Sequence, residues 1–219
     1  MALKFYAHPL SIYSQKALIA LYELDLPFEM KCLDPSDPAI IAEFQALWPI
    51  GKFPVLMDDS QVVVEASLII EHLDLKYSSA RLVPDNDAAR MEMRLMDRVF
   101  DNYISTPQQK TISDRLRAPG CQDPTGVEEA HALLEKTYSW LDGRLKDRTW
   151  AAGDIFTLAD CGAAPMLFFA DWVHPIGPRF VSLAAYFGRL RERPAVARAI
   201  DGGRPYHSFV PGGIPSHVW

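Results

Sequence analysis

The spacing of apolar positions changes near residue 86. Before that point short alternating runs interleave with helical ones. Residues 3–7, Leu-Lys-Phe-Tyr-Ala, read as a strand, and Ala17, Leu18, Leu21 and Leu24 recur at the spacing of a helix beginning at Ser14. Pro27 to Cys32 alternates as a second strand, and a helix over about 38–46 returns the chain across the sheet, giving a right-handed βαβ unit. Two more strands, Pro54–Met57 and Gln61–Val64, flank Asp58-Asp59-Ser60, whose residue types suit a tight hairpin. A helix over about 65–77 closes this half. Leu68, Ile69, Leu73 and Leu75 are expected to face the sheet, with Glu71, Asp74 and Lys76 toward water.

Residues 79–86 form a linker between a first domain, 1–78, and a second, 87–219. In the second half the strand signal disappears, and helical windows follow at about 87–116, 127–146, 157–172, 179–191 and 195–200. This part is an all-helical bundle. Val127, Ala130, Leu134, Leu141 and Leu145 make one apolar stripe, and Pro107 is expected to kink its helix, because proline lacks an N–H and its ring clashes with the preceding turn. Met91, Met93 and Met96 read as core or dimer contact. The stretch from Gly202 to Trp219 is too rich in glycine and proline for a helix. Its aromatic residues, Tyr206, Phe209 and Trp219, are expected to pack across the body, a partly disordered tail being the alternative.

About half of the 219 residues are apolar, yet no run approaches the ~20 residues of a membrane helix. Met1 to Tyr6 lead straight into His8-Pro9 without the pattern of a secretory leader, so the expected location is the cytoplasm. A net charge of −6, with no basic block, argues against nucleic acid and for small-molecule partners. Cys32, Cys121 and Cys161 form no CxxC pattern and lack clustered histidines, so no metal or disulfide framework is expected, and each reads as a small buried apolar residue.

Three stretches carry chemistry. Gly51-Lys52-Phe53-Pro54-Val55-Leu56 is a loop entering a strand at a proline; a cis bond there would turn the Phe53 backbone outward as a free edge for an extended peptide, whereas an ordinary trans proline would simply start the strand. Glu65-Ala66-Ser67 opens a helix, where free N–H groups and the dipole favour a carboxylate and Glu65 suits an ammonium group, although capping alone calls for the same residue types. In the loop after the first strand, Ser11 and Ser14 bring two hydroxyls to a helix start. A thiol has a pKa near ~8.5. Stabilising its anion by ~2.7 kcal/mol makes the thiolate dominant at neutral pH. The two serines suit N-capping equally well.

Taken in order, these stretches resemble the cytosolic glutathione S-transferase family, in its bacterial serine-type form. Asp154-Ile155-Phe156-Thr157-Leu158-Ala159-Asp160 is similar to the family's buried capping box, with Thr157 and Asp160 reciprocally bonded. The resemblance spans essentially the whole chain. It implies a thioredoxin-like N-terminal domain, βαβαββα, followed by an all-α C-terminal helical bundle. It implies that Ser11, or Ser14 as second candidate, hydrogen-bonds the glutathione sulfur; that the Phe53 backbone beside Pro54 pairs with the cysteinyl segment, Lys52 assisting a carboxylate; and that Glu65 with the next position grips the γ-glutamyl head. There the chain departs from the pattern: the expected serine is Ala66, with Ser67 one place later. Tyr6 lies near the hydroxyl of tyrosine-type members, but its alternating position reads as core or sheet.

By the same resemblance glutathione is the co-substrate, with no metal, and its thiolate attacks a small hydrophobic electrophile held between the domains by Tyr13, Tyr103, Ile104 and Phe169. A homodimer is implied. Glutathione-dependent reduction of disulfides or peroxides, and a binding module without turnover, are the competing functions.

Overall fold

Phe5 and Tyr6, neighbours on the first strand, point to opposite faces of the sheet, and each anchors a different core. The computed structural model describes residues 3–78, 81–210 and 212–216. Strands β1 (Leu3–Ala7), β2 (Phe28–Cys32), β3 (Val55–Asp58) and β4 (Gln61–Val64) form one sheet in the order β2-β1-β3-β4. β1 runs parallel to β2, while β3 is antiparallel to both β1 and β4, pairing Phe5 with Leu56 and Leu56 with Val63. Helices α1 (Ile12–Glu23) and α3 (Ala66–Tyr77) bury their apolar faces with Phe5 and Leu56, and α2 (Pro38–Leu47) covers the other face through Phe44 against Tyr6, Leu33 and Val55. This is the predicted thioredoxin-like arrangement.

The helical half comprises α4 (Asp87–Val99), a π-helical turn (Phe100–Ser105), α5 (Thr106–Arg115), α6 (Pro124–Leu145), α7 (Leu158–Asp171), α8 (Val181–Glu192) and α9 (Pro194–Gly202). Pro107 leaves its mark as that π turn, in which the Thr106 N–H bonds to the Asp101 carbonyl five residues back. α7 is the buried central helix. It opens on the expected capping box, and Asp160, buried and pushed up in pKa by that burial, also accepts from the Ala151 N–H at 2.8 Å and the Tyr186 hydroxyl at 2.7 Å. None of the described helices is long and apolar enough to cross a membrane.

Several expectations change. Leu68 and Leu75 are exposed, because the sheet-facing side of α3 is the 66, 69, 70, 73 set and these leucines fall opposite it. Asp74 is buried instead of solvated, its carboxylate receiving the N–H groups of Arg81, Leu82 and Val83 and so fastening the linker to the first domain. Of the methionines, Met93 and Met96 are core and Met91 is exposed. Only Cys161 is fully buried; Cys32 is half-buried and Cys121 exposed. The tail, contrary to expectation, contains a 3-10 helix (Arg204–Phe209), whose tighter winding accommodates Pro205 at its start. Tyr206 packs edge-on against His8 at 4.6 Å between ring centroids, as the aromatic tail predicted; Trp219, like Ser79 and Ala80 of the linker, lies outside the described residues.

Candidate active site

Ser11 stands at the N-cap of α1 in an extended conformation, its hydroxyl accepting the Ser14 N–H at 3.3 Å. From there it borders two adjoining cavities. One is a polar cleft of about 590 Å³, edged by Gly51, Lys52, Phe53, Pro54, Glu65 and Ala66 of the first domain and by Arg98, Asp101 and Thr106 of the second. The other, about 290 Å³, is walled by Leu10, Ile12, Ile112, Phe169, Trp172 and Phe209. Ser11, Tyr13, Phe53 and Gln109 belong to both, so the hydroxyl lies where the polar space meets the apolar one.

The Phe53–Pro54 bond is cis, and Pro54 is buried ahead of β3 while Phe53 is partly exposed. Glu65, at the start of α3, has φ 69° and ψ 119° and makes no capping hydrogen bond with its side chain. A non-glycine residue in that region is held there by its surroundings at a cost of order 1–3 kcal/mol. Its carboxylate is exposed at the rim of the polar cleft beside a helix N-terminus.

Beneath the cleft lies a charged seam between the domains. Lys16 of α1 is wholly buried, with Asp97 at 2.6 Å and Asp101 at 2.9 Å, and Arg98 completes the group by bonding Asp97 at 2.7 Å and also pairing with Asp101. Gly162 of α7 makes room for the lysine stem: a Cβ there would lie 3.1 Å from Lys16 Cε. Burial works against both carboxylates. At Asp97 the two cations outweigh it and lower the pKa, whereas at Asp101 burial dominates and, reinforced by the charge of Asp97, raises it.

Of the residues singled out in the sequence, Ser11, Tyr13, Lys52, Phe53, Pro54, Glu65 and Ala66 come together at the polar cleft, and Tyr13 and Phe169 at the apolar pocket. Ser14 does not join them: it is buried, borders neither cavity, and its hydroxyl has no hydrogen-bond partner among the described residues. Ser67 is likewise turned away, its Oγ donating to Asp97 at 2.9 Å and accepting from Arg98 at 3.1 Å. Ile104 is core and Tyr103 projects outward, neither lining either space. Tyr6 is buried on the far face of the sheet, its hydroxyl donating to Glu43 at 2.6 Å.

The family model for the glutathione S-transferase N-terminal domain matches residues 5–81, and that for the C-terminal domain matches 124–202. The chain belongs to the glutathione S-transferase family. Glutathione S-transferase GstB of Escherichia coli K12 is 27% identical over 191 residues, covering 85% of this chain and 91% of its own. The FtsZ-localized protein A of Caulobacter vibrioides is 28% identical over 197 residues and 85% of each chain. Among solved structures, a glutathione S-transferase from Methylobacterium radiotolerans in complex with glutathione sulfonate superposes with a TM-score of 0.79 at 27% identity, covering 91% of this chain and 95% of that one.

Sequence reasoning missed the contribution of the second domain to this glutathione S-transferase cleft. Arg98, Asn102, Thr106 and Gln109 recur every three or four residues along the helix that Pro107 interrupts, with Asp101 beside Asn102. That polar stripe was the available signal.

Proposed function

We propose that this chain is a glutathione transferase that conjugates the thiolate of glutathione to small, uncharged, hydrophobic electrophiles. The carrying observation is the position of Ser11 at the junction of the two cavities. A tripeptide laid along the polar cleft, its backbone against Phe53 and its ammonium group against Glu65, brings its sulfur to that junction. There the Ser11 hydroxyl and the positive end of α1 favour the ionised thiol. The thiolate forms a bond to an electrophilic carbon in the apolar pocket as the leaving group departs with its electron pair; the protein supplies proximity and a stabilised anion. Among the described residues Tyr13 is the one ionisable side chain that borders that pocket, which favours neutral and aromatic electrophiles.

Retention on immobilised glutathione, followed by conjugation of a generic aromatic halide, tests the reading. Absence of both overturns it. Product analysis separates conjugation from glutathione-dependent reduction of disulfides or peroxides. A binding module without turnover is favoured by the similarity to FtsZ-localized protein A and by Ala66, and retention without turnover would support it. A homodimer belongs to the same proposal, since Leu68 and Leu75 of α3 and Met91 and Leu95 of α4 expose apolar surface; sedimentation measures it.

A further inference from the structure

The cleft has a second cation besides Lys52, and it comes from the helical half: Arg98. Residue 66 presents only a buried methyl group to the cleft, and the hydroxyl of Ser67 is committed to Asp97 and Arg98. Arg98 borders the same space from α4, with 54% of its side chain exposed. Its bonds to Ser67, Asp97 and Asp101 all run through Nη2, which leaves Nε and Nη1 without a partner among the described residues.

We propose that Arg98 receives the α-carboxylate of the γ-glutamyl head of glutathione, taking over the role for which residue 66 lacks a hydroxyl. The proposal rests on the glutathione reading above and adds the residue that determines head-group specificity. Position supports it. Of the two cations paired with Asp97 and Asp101, Lys16 is sealed beneath the cleft and Arg98 borders it. A ligand carboxylate entering the cleft meets the free donors of Arg98, which Asp97 and Asp101 hold in place, while Glu65 meets the ammonium on the same head. Lys52, the other cation at the rim, is left for the second carboxylate of the tripeptide. A charge-assisted hydrogen bond of this kind is worth about a ten- to hundred-fold change in affinity.

Calorimetric titration of the full chain with glutathione, and with an analogue whose γ-glutamyl head lacks the α-carboxylate (4-aminobutyryl-cysteinyl-glycine), tests it. The wild type is expected to bind the analogue about ten- to hundred-fold more weakly than glutathione. Arg98→Ala is expected to lose that discrimination, binding both ligands equally, and Ala66→Ser in the Arg98→Ala background to restore part of it. Arg98→Lys keeps the charge beside Asp97 and Asp101 and serves if the alanine variant fails to fold; it is expected to lose most of the discrimination by withdrawing the Nη1 donor. Undiminished discrimination in a folded Arg98 variant overturns the proposal while leaving the glutathione reading intact. A wild type that binds no glutathione removes both.

Discussion

The ammonium of Lys16 lies 2.6 Å from the carboxylate of Asp97, across the boundary between the two domains and out of contact with solvent. Removing one member of a buried pair leaves an uncompensated charge, at a cost of about 3–5 kcal/mol. Lys16→Met, close in size but uncharged, leaves Arg98 alone to balance both Asp97 and Asp101. Its denaturant midpoint is expected to fall well below that of the wild type, by an amount corresponding to that range, and an unchanged midpoint would show that the seam contributes little to joining the domains.

The two serines at the start of α1 differ in what their loss removes. Ser11→Ala is expected to reduce the ultraviolet absorbance of bound thiolate and to move the rising limb of the conjugation rate to higher pH. Ser14→Ala deletes a buried hydroxyl that has no partner among the described residues, so stability is expected to stay level or rise by up to about 1 kcal/mol, with thiolate absorbance unaltered. The reverse pattern would assign sulfur activation to Ser14.

Glu65 combines an exposed carboxylate with a left-handed backbone. Glu65→Ala is expected to abolish retention on immobilised glutathione, and Glu65→Gly to do the same while gaining thermal stability, because glycine occupies that conformation without steric cost. Retention of glutathione by either variant would remove the carboxylate from head-group binding.

Asp58, at the end of β3, receives His72 at 2.6 Å and Lys76 and Tyr77 at 2.7 Å, all from α3. Burial alone would raise its pKa, but these donors outweigh it and bring the value from the ordinary 3.8 down to about 2. The depressed carboxylate stabilises the fold fully above about pH 4 and loses that contribution as the pH falls toward 2, an effect of about 2 kcal/mol. Asp58→Asn is expected to be less stable at neutral pH and to show a flatter decline between pH 4 and 2. Parallel acid-unfolding curves for the two proteins would refute the assignment.

A charge placed in the apolar pocket tests its character. Ile112→Asp is expected to raise the KM for a neutral aromatic electrophile more than tenfold without changing retention on glutathione, whereas Tyr103→Asp, on the outer side of the same helical run, is expected to leave both unchanged. Equal effects from the two substitutions would locate the electrophile elsewhere.

The first domain was legible in the chain because its signals are local. Pro54 after Phe53, Glu65 before a helix and Ser11 after a strand each declare a backbone position, and all three reached the cleft. Side-chain direction was less legible. Leu68 and Leu75 differ from the buried Ile69 and Leu73 only by phase on α3, which composition does not reveal. Ser14 and Ser67 likewise sit one step of helix rotation away from the cavity that their neighbours border. Arg98 is visible in the chain only as one member of a polar stripe; its pairing with Ser67 arises from the meeting of two segments far apart in sequence, which that stripe does not record.

The irregular turn at Phe100–Ser105 governs how one long run of helix serves two duties. Its wider winding holds one residue more than an α-helical turn, so everything downstream is rotated by roughly 100° relative to an uninterrupted helix. Asp97 just upstream of it and Asp101 in its first part clasp the lysine of the first domain; downstream, Gln108, Gln109 and Ile112 wall the apolar pocket. Excising a single residue from the turn would thus uncouple electrophile recognition from domain docking, since only one of the two faces could then be correctly aimed.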